Sequence, residues 1–234
     1  AEAKLEEAGK TLGIPIFNIP YHQKLLPETS AAYMGLADIH QYGPSANALQ
    51  EADVVVMVGG RLDNQMNFGN PPLFPASCEL ICVNGSAEET ELNRAADQIL
   101  LSDPSAFFDA LLDLSASGVW QEKGDWMERQ RTQRGEWVAK TVAEMAQDTT
   151  PGQGAHPLQL ALQVQSVMGV DDWLIIDGGN THFWSEIAVN IAGWRGQELA
   201  GILHPGAFSM LGVGVSFALA AKLQHRDSHA VVIS

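Results

Sequence analysis

Two short apolar runs that break on paired glycines constrain the fold of this chain more than any other feature. Asp53-Val-Val-Val-Met-Val58 leads into Gly59-Gly60-Arg61-Leu62-Asp63, and Asp172-Trp-Leu-Ile-Ile-Asp177 leads into Gly178-Gly179-Asn180-Thr181. A strand apolar at successive positions is expected where both faces of a parallel sheet are covered. Glycines at its carboxyl end let the backbone turn sharply and approach a ligand, and open parallel sheets bind ligands at that edge.

Further strands are expected at Ile14–Ile19, Glu79–Val83, Gln98–Leu101 and Ala230–Ile233. They alternate with helical patterns, which predicts an α/β fold of two doubly wound parallel-sheet domains, the second incomplete. An opening helix places Leu5, Ala8 and Leu12 on one face, with Gly9 and Gly13 as stop signals. A parallel unit normally begins strand first, so this helix reads as one whose preceding strand lies outside the chain. Pro20 to Pro44 reads as irregular, followed by a short helix over Ser45–Ala52. Ser86 is placed to cap a helix with Glu89 at its third position. A helix over Ser105–Leu114, entered through Pro104, directs Phe107, Leu111 and Leu114 inward.

Residues 1–114 thus form one domain, 115–155 a helical connector, and 156–234 the beginning of a second domain. The connector is mostly polar, and its Trp120, Trp126 and Trp137 are expected to anchor it by packing. The second domain opens with a helix over His156–Met168 that buries Leu158, Leu162 and Val167. A helix over Thr181–Ile191 and a loop over Ala192–Pro205 follow. In the last helix Gly214, Ala218 and Ala221 share a face and permit a close neighbour.

Charge and composition exclude several functions. The formal charge of −15, from 28 acidic against 13 basic residues, argues against nucleic acid as a partner, because a phosphate-backbone binder clusters Lys and Arg. There is no signal peptide and no apolar run of about 18 residues, so the chain reads as cytoplasmic and without a membrane partner. Cys78 and Cys82 would lie roughly 13 Å apart on one strand, at about 3.3 Å per residue, too far for a disulfide. No histidine pair has metal-ligand spacing, and no Gly-x-Ser-x-Gly nucleophile turn occurs.

Asp177-Gly-Gly-Asn-Thr admits two readings. Gly178 and Gly179 can turn backbone N–H groups toward an anion, such as a diphosphate, at the positive end of the helix that follows. Alternatively the segment is an ordinary turn capped by Asn180 or Thr181. Arg61 is either a forked donor to phosphate or carboxylate, or a surface partner of Asp63. His182 and His204 lie near these loops, as acid–base groups or as loop histidines.

Taken in order, the motifs resemble thiamine-diphosphate enzymes of the acetolactate synthase, 2-hydroxyacyl-CoA lyase and benzaldehyde lyase group. That family carries a Gly-x-Arg-(Phe/Leu)-(Asp/Asn) turn after an apolar strand of its middle domain, here Gly59-Gly60-Arg61-Leu62-Asp63. Its diphosphate-binding domain has Asp-x-Gly before a helix and a Gly-x-x-Met-Gly-x-Gly type segment before a later strand. Asp177-Gly178-Gly179 and Phe208-Ser-Met-Leu-Gly-Val-Gly214 occupy those places.

The resemblance implies that Gly178, Gly179, Asn180 and Thr181 hold the cofactor diphosphate. It places Ser209, Met210 and Leu211 beside the aminopyrimidine, with Leu211 as the apolar residue that bends the cofactor. It further implies Mg²⁺, a 2-oxo acid or hydroxyketone substrate, and a homodimer or homotetramer. The activating glutamate would precede Ala1 and the metal-binding Gly-Asp-Gly would follow Ser234. No catalytic or metal-ligating residue is therefore assigned within this chain, and it is expected to be inactive alone. Gly60, Arg61 and Asp63 are the candidate contacts for FAD or ADP in the middle domain. Members that bind those nucleotides carry acidic residues where this chain has Asn84-Gly85-Ser86, which argues against a nucleotide there. A non-catalytic nucleotide-binding or regulatory module of the same fold is the alternative.

Overall fold

The computed structural model describes residues 2–19, 26–38, 43–119, 124–147 and 154–234. They form two compact units that part within one helix, between Trp137 and Val138, with residues 27–29 grouped with the second. Parallel sheets flanked by helices make both units α/β. No helix among the described residues is long and apolar enough to cross a membrane.

The first unit opens on α1 (Glu2–Leu12), whose Ala8 and Leu12 are buried with Phe108 of α3 (Pro104–Ala116). Gly13 follows α1 at φ 63°, a left-handed conformation that glycine adopts without a Cβ penalty. Gly9, expected as a stop, instead lies within the helix. A Cβ there would come within 2.6 Å of Ala32 Cβ and 2.7 Å of Ile16 Cδ1, so the missing side chain lets α1 lie close on β1 (Ile16–Asn18).

β1 pairs in parallel with β2 (Tyr33–Leu36), all four of whose residues are buried. This strand lies inside the stretch expected to be irregular, where a four-residue Tyr-Met-Gly-Leu run is too short to show a period. Residues 20–25 and 39–42 of that stretch, with His22 and His40, lie outside the described residues.

A second parallel sheet has the order β3 (Val54–Val58), β4 (Glu79–Asn84), β5 (Gln98–Leu101). Met57 of β3 packs with Leu62, Met66, Phe74 and Leu80. β3 is not covered on both faces as its composition predicts, since Val54 is 48% and Val56 42% exposed. Alternation along the strand places these two valines together on the open face. The helix expected after Ser86 is a single 3-10 turn, Ala87–Thr90, and the Ser86 side chain caps nothing. Glu89, the other half of the expected capping box, is engaged by Arg61 instead. At α3 the Asp103 carboxylate accepts from the N–H groups of Ser105 (2.8 Å) and Ala106 (3.4 Å). Its buried residue is Phe108, while Leu114 is exposed.

The helix α2 (Gly43–Gln50) and the first half of α4 (Gly124–Gln147) complete this unit. Trp126 Nε1 and Gln130 Nε2 both donate to Glu51 Oε2, at 3.0 and 2.8 Å, and Arg134 donates to Tyr33 O at 2.6 Å. The Trp137 ring lies against Gly43. Trp126 and Trp137 thus anchor the helix, and Trp120 lies outside the described residues. Cys78 and Cys82 are buried free thiols, and burial pushes the Cys82 thiol up.

In the second unit α5 (Pro157–Val167) buries Leu158, Ala161 and Gln165, followed by Met168. Val167, expected on that face, is 81% exposed, because the 3.6-residue period carries the buried stripe from Gln165 to Met168 and past it. A parallel sheet has the order β7 (Gly201–Leu203), β6 (Trp173–Ile176), β8 (Ala230–Ile233). β7 lies in the segment expected to be a loop. Leu174, Ile175 and Ile176 are fully buried. α6 (Asn180–Trp194) follows β6, and α7 (Gly214–Gln224) precedes β8. Gly214 and Ala221 of α7 are buried, and a Cβ on Gly214 would stand 2.8 Å from Val232 Cγ1. The small residues seat α7 closely on the sheet, while Val215, Leu219 and Leu223 point outward.

Candidate cofactor cradle at the carboxyl end of β6

Asp177 is the first residue beyond β6, and its N–H donates to Ile233 O at 2.9 Å, extending the ladder with β8. Its side chain turns to a different segment. Oδ1 accepts from the N–H groups of Gly178 (2.9 Å), Gly212 (2.9 Å) and Val213 (3.1 Å), and Oδ2 accepts from Gly212 at 3.0 Å. The Gly178 N–H foremost, then those of Gly212, Val213 and Gly214, hold this carboxyl below the usual carboxylate range, while burial opposes them.

Backbone meets backbone beside this carboxylate. A Cβ on Gly178 would lie 2.6 Å from the carbonyl oxygens of both Ser209 and Met210. Gly179, at φ 78°, is the N-cap residue of α6, and a Cβ on it would stand 3.2 Å from Leu211 Cδ2. The structure therefore brings Gly178 and Gly179 together with Ser209, Met210 and Leu211. Asn180 and Thr181 stand in the first turn of α6, whose N-cap residue Gly179 has no side chain to cap it. The N-terminus presents backbone donors and the positive end of the helix dipole. Ser209 has φ 46°, and Leu211 is 73% exposed beside the glycines. Glycine backbone, a helix N-terminus entered through glycine and an adjacent exposed apolar side chain fit a diphosphate ester joined to an aromatic ring system.

The two histidines noted in this region meet. His182, buried in α6, makes a T-shaped ring contact with His204, centroids 5.1 Å apart, and its Nε2 stands 4.0 Å from Glu186 Oε1. The Gly206 N–H donates to His204 Nδ1 at 3.1 Å, so a neutral His204 carries its proton on Nε2.

The glycine turn of the first unit is arranged differently. Arg61 directs its fork at Glu89, with Nη2 2.7 Å from Oε1 and Nε on Oε2. This pairing, and not one with Asp63, raises the guanidinium pKa first. Asp63 accepts from the N–H groups of Gln65 (2.9 Å) and Met66 (3.3 Å) and shapes the following turn. A Cβ on Gly60 would meet Ile19 Cδ1 at 2.0 Å and Met57 Sδ at 2.7 Å, so glycine here serves packing within the unit. Among the described residues no three His, Cys, Asp or Glu side chains group as a metal site.

A family model for the central domain of thiamine pyrophosphate enzymes matches residues 1–111. Those residues are similar to a thiamine pyrophosphate enzyme central domain. The Gly59–Asp63 turn and the three-stranded β3–β5 sheet lie within it. Similarity to curated proteins runs past the central domain into the second unit. The 2-hydroxyacyl-CoA lyase 1 of Mus musculus is 27% identical over 231 residues, covering 97% of this chain and 37% of that protein. The 2-hydroxyacyl-CoA lyase 2 of Homo sapiens is 29% identical over 231 residues, covering 96% and 33%. An acetolactate synthase large subunit of Mycobacterium tuberculosis is 30% identical over 191 residues, covering 80% and 32%. The chain spans about a third of the length of these relatives.

The Asp177 link is what the sequence reading missed in this site. Asp177 entered that reading as the start of an Asp-Gly-Gly turn. Its partners Gly212 and Val213 lie 35 and 36 residues further on, a separation with no periodic or motif signal.

Proposed function

We propose that this chain is the central domain, joined by a helical connector to the first part of the diphosphate-binding domain, of a thiamine-diphosphate and Mg²⁺ dependent enzyme. The enzyme makes or breaks a carbon–carbon bond next to a carbonyl. Its substrates are a 2-oxo acid or a 2-hydroxy carbonyl compound, in keeping with relatives named as 2-hydroxyacyl-CoA lyases and acetolactate synthases. The observation that carries this reading is the junction of Gly178–Gly179 with Ser209–Leu211 at the carboxyl end of a parallel strand, the edge where such sheets take ligands.

Gly179, Asn180 and Thr181 hold the diphosphate through backbone N–H groups and the α6 dipole, and Gly178, whose own N–H is taken by Asp177, lets the backbone come close to it. Ser209, Met210 and Leu211 line the path of the aminopyrimidine, and the Leu211 side chain supports the bend of the cofactor. When bound, thiamine diphosphate would supply a nucleophilic ylid carbon and an electron sink for a carbanion at the substrate's carbonyl carbon. The chain's own residues bind it, orient it and keep water from one side of it. The whole enzyme is a cytoplasmic homodimer or homotetramer. The pairing of Arg61 with Glu89 supports a central domain without FAD or ADP.

Calorimetry of the whole gene product with thiamine diphosphate, with and without Mg²⁺, tests this reading. Metal-dependent binding is expected. Absence of binding in both conditions overturns it in favour of a regulatory module, and a panel of 2-oxo acids and hydroxyketones then distinguishes lyase from synthase among binders.

A further inference from the structure

Asp177 is held from two directions. Its backbone continues the β6–β8 ladder through Ile233 O, and its carboxylate collects N–H groups from the two segments that make the cradle. One donor, Gly178, begins the turn into α6. The others, Gly212 and Val213, stand at the entry of α7, directly after Ser209–Leu211. Val213 is the N-cap residue of α7 and makes no side-chain cap of its own; the Asp177 carboxylate takes the N–H groups of Gly212 and Val213, just ahead of the N2 and N3 donors that a local cap serves. A Cβ on Gly214 would stand at ordinary contact distance from Asp177, 3.5 Å from its Cβ and 3.6 Å from its Cγ.

Such a link has a consequence for binding. The carbonyl oxygens of Ser209 and Met210 crowd Gly178, and the Leu211 side chain stands close to Gly179. Contacts of that kind have no attraction strong enough to set a register by themselves. Charge-assisted hydrogen bonds from one carboxylate to both segments do have it. We propose that Asp177 is a positioning residue that joins the Gly178–Thr181 turn to the Ser209–Val213 segment, so that both present to thiamine diphosphate as one preformed wall. The inference rests on the cofactor reading above and goes beyond it, since it assigns affinity for the cofactor to a residue that does not touch it.

The test uses the whole gene product, wild type against Asp177→Asn and Val213→Pro. Asparagine keeps the shape of the side chain but puts an NH₂ among N–H donors. Proline removes the Val213 N–H at a φ of −82°, at the edge of its ring's range, and also restricts Gly212, whose φ is 89°. Three quantities are measured: the thiamine diphosphate Kd by calorimetry, amide hydrogen exchange at residues 209–214 without ligand, and the melting temperature. Both variants are expected to raise exchange at 209–214 and to weaken the cofactor by about tenfold or more, the scale of a lost charge-assisted hydrogen bond. Folding is checked by the melt, and if Asp177→Asn does not fold, Val213→Pro decides alone. Wild-type binding with a variant Kd within about twofold of it, despite raised exchange, overturns the inference and leaves the cofactor reading intact. Failure of the wild type to bind overturns the cofactor reading, and the inference with it.

Discussion

The carboxylate of Asp177 accepts the N–H of Gly212 on both oxygens, at 2.9 and 3.0 Å, across 35 residues of sequence. A strand end and a helix start are thereby tied by one side chain. The same N–H groups that fix the geometry also favour the charged form, which gives the link a pH dependence of known sign.

An unfolded Asp titrates near about 3.9, and folding lowers the Asp177 value. The stabilisation it provides is therefore complete above the unfolded value and is lost as pH falls through the lower, folded value. Melting temperatures measured from pH 5 down to pH 2 are expected to fall more steeply for the wild type than for Asp177→Asn. Parallel curves would mean that the carboxylate is not linked to folding.

Gly178→Ala would set a methyl 2.6 Å from two carbonyl oxygens. Both belong to backbone, so the Ser209–Met210 segment must move. Denaturant unfolding is expected to show a loss of about 1–3 kcal/mol, the usual range for overpacking, together with weaker thiamine diphosphate binding.

At Gly43 the backbone has φ 63°, and a Cβ would fall 2.7 Å from Trp137 Cε2. Gly43→Ala meets a left-handed strain of about 1–3 kcal/mol in addition to a rigid indole. Chemical denaturation followed by tryptophan fluorescence is expected to show a loss at the upper end of that range. A loss under about 0.5 kcal/mol, the range of ordinary surface substitutions, would show that Trp137 does not pack on α2.

Removing the carboxylate that faces Arg61 tests the opposite case. The pair is largely exposed at its Arg61 end, so Glu89→Ala is expected to change unfolding free energy by less than about 1 kcal/mol. Titration of this variant with ADP checks whether the freed fork takes a phosphate. No gain over the wild type is expected, because a single exposed guanidinium lacks the companion donors of a phosphate site.

Much of the fold was legible along the chain. Apolar runs marked β3, β4, β6 and β8 because each alternates with a helical period and ends on glycine or polar turn residues. β2 and β7 were not legible, since runs of four and three residues are too short to carry a pattern. Val167 and Leu114 were misplaced inward for a related reason. An apolar residue one position off a helical stripe has the same composition as one on it.

The candidate site divides in the same way. Gly178 and Gly179 stood out because paired glycines after an apolar run leave a local mark in sequence, whereas Ser209–Leu211 was named through the family resemblance. Neither cap proposed for α6 forms, and Arg61 turns to Glu89 and not to its near neighbour Asp63. Side-chain hydrogen bonds of this kind follow from distances in space, to which sequence separation is blind.

The sequence by itself determined the parallel α/β architecture and the glycine turns at strand ends. These follow from local steric and burial preferences, which act over a few residues. Tertiary structure decided that β3 keeps one open face, that His182 meets His204, and that Asp177 binds the entry of α7. Each of these depends on which distant segments the packed sheet brings within hydrogen-bonding or van der Waals reach, and no local preference encodes that.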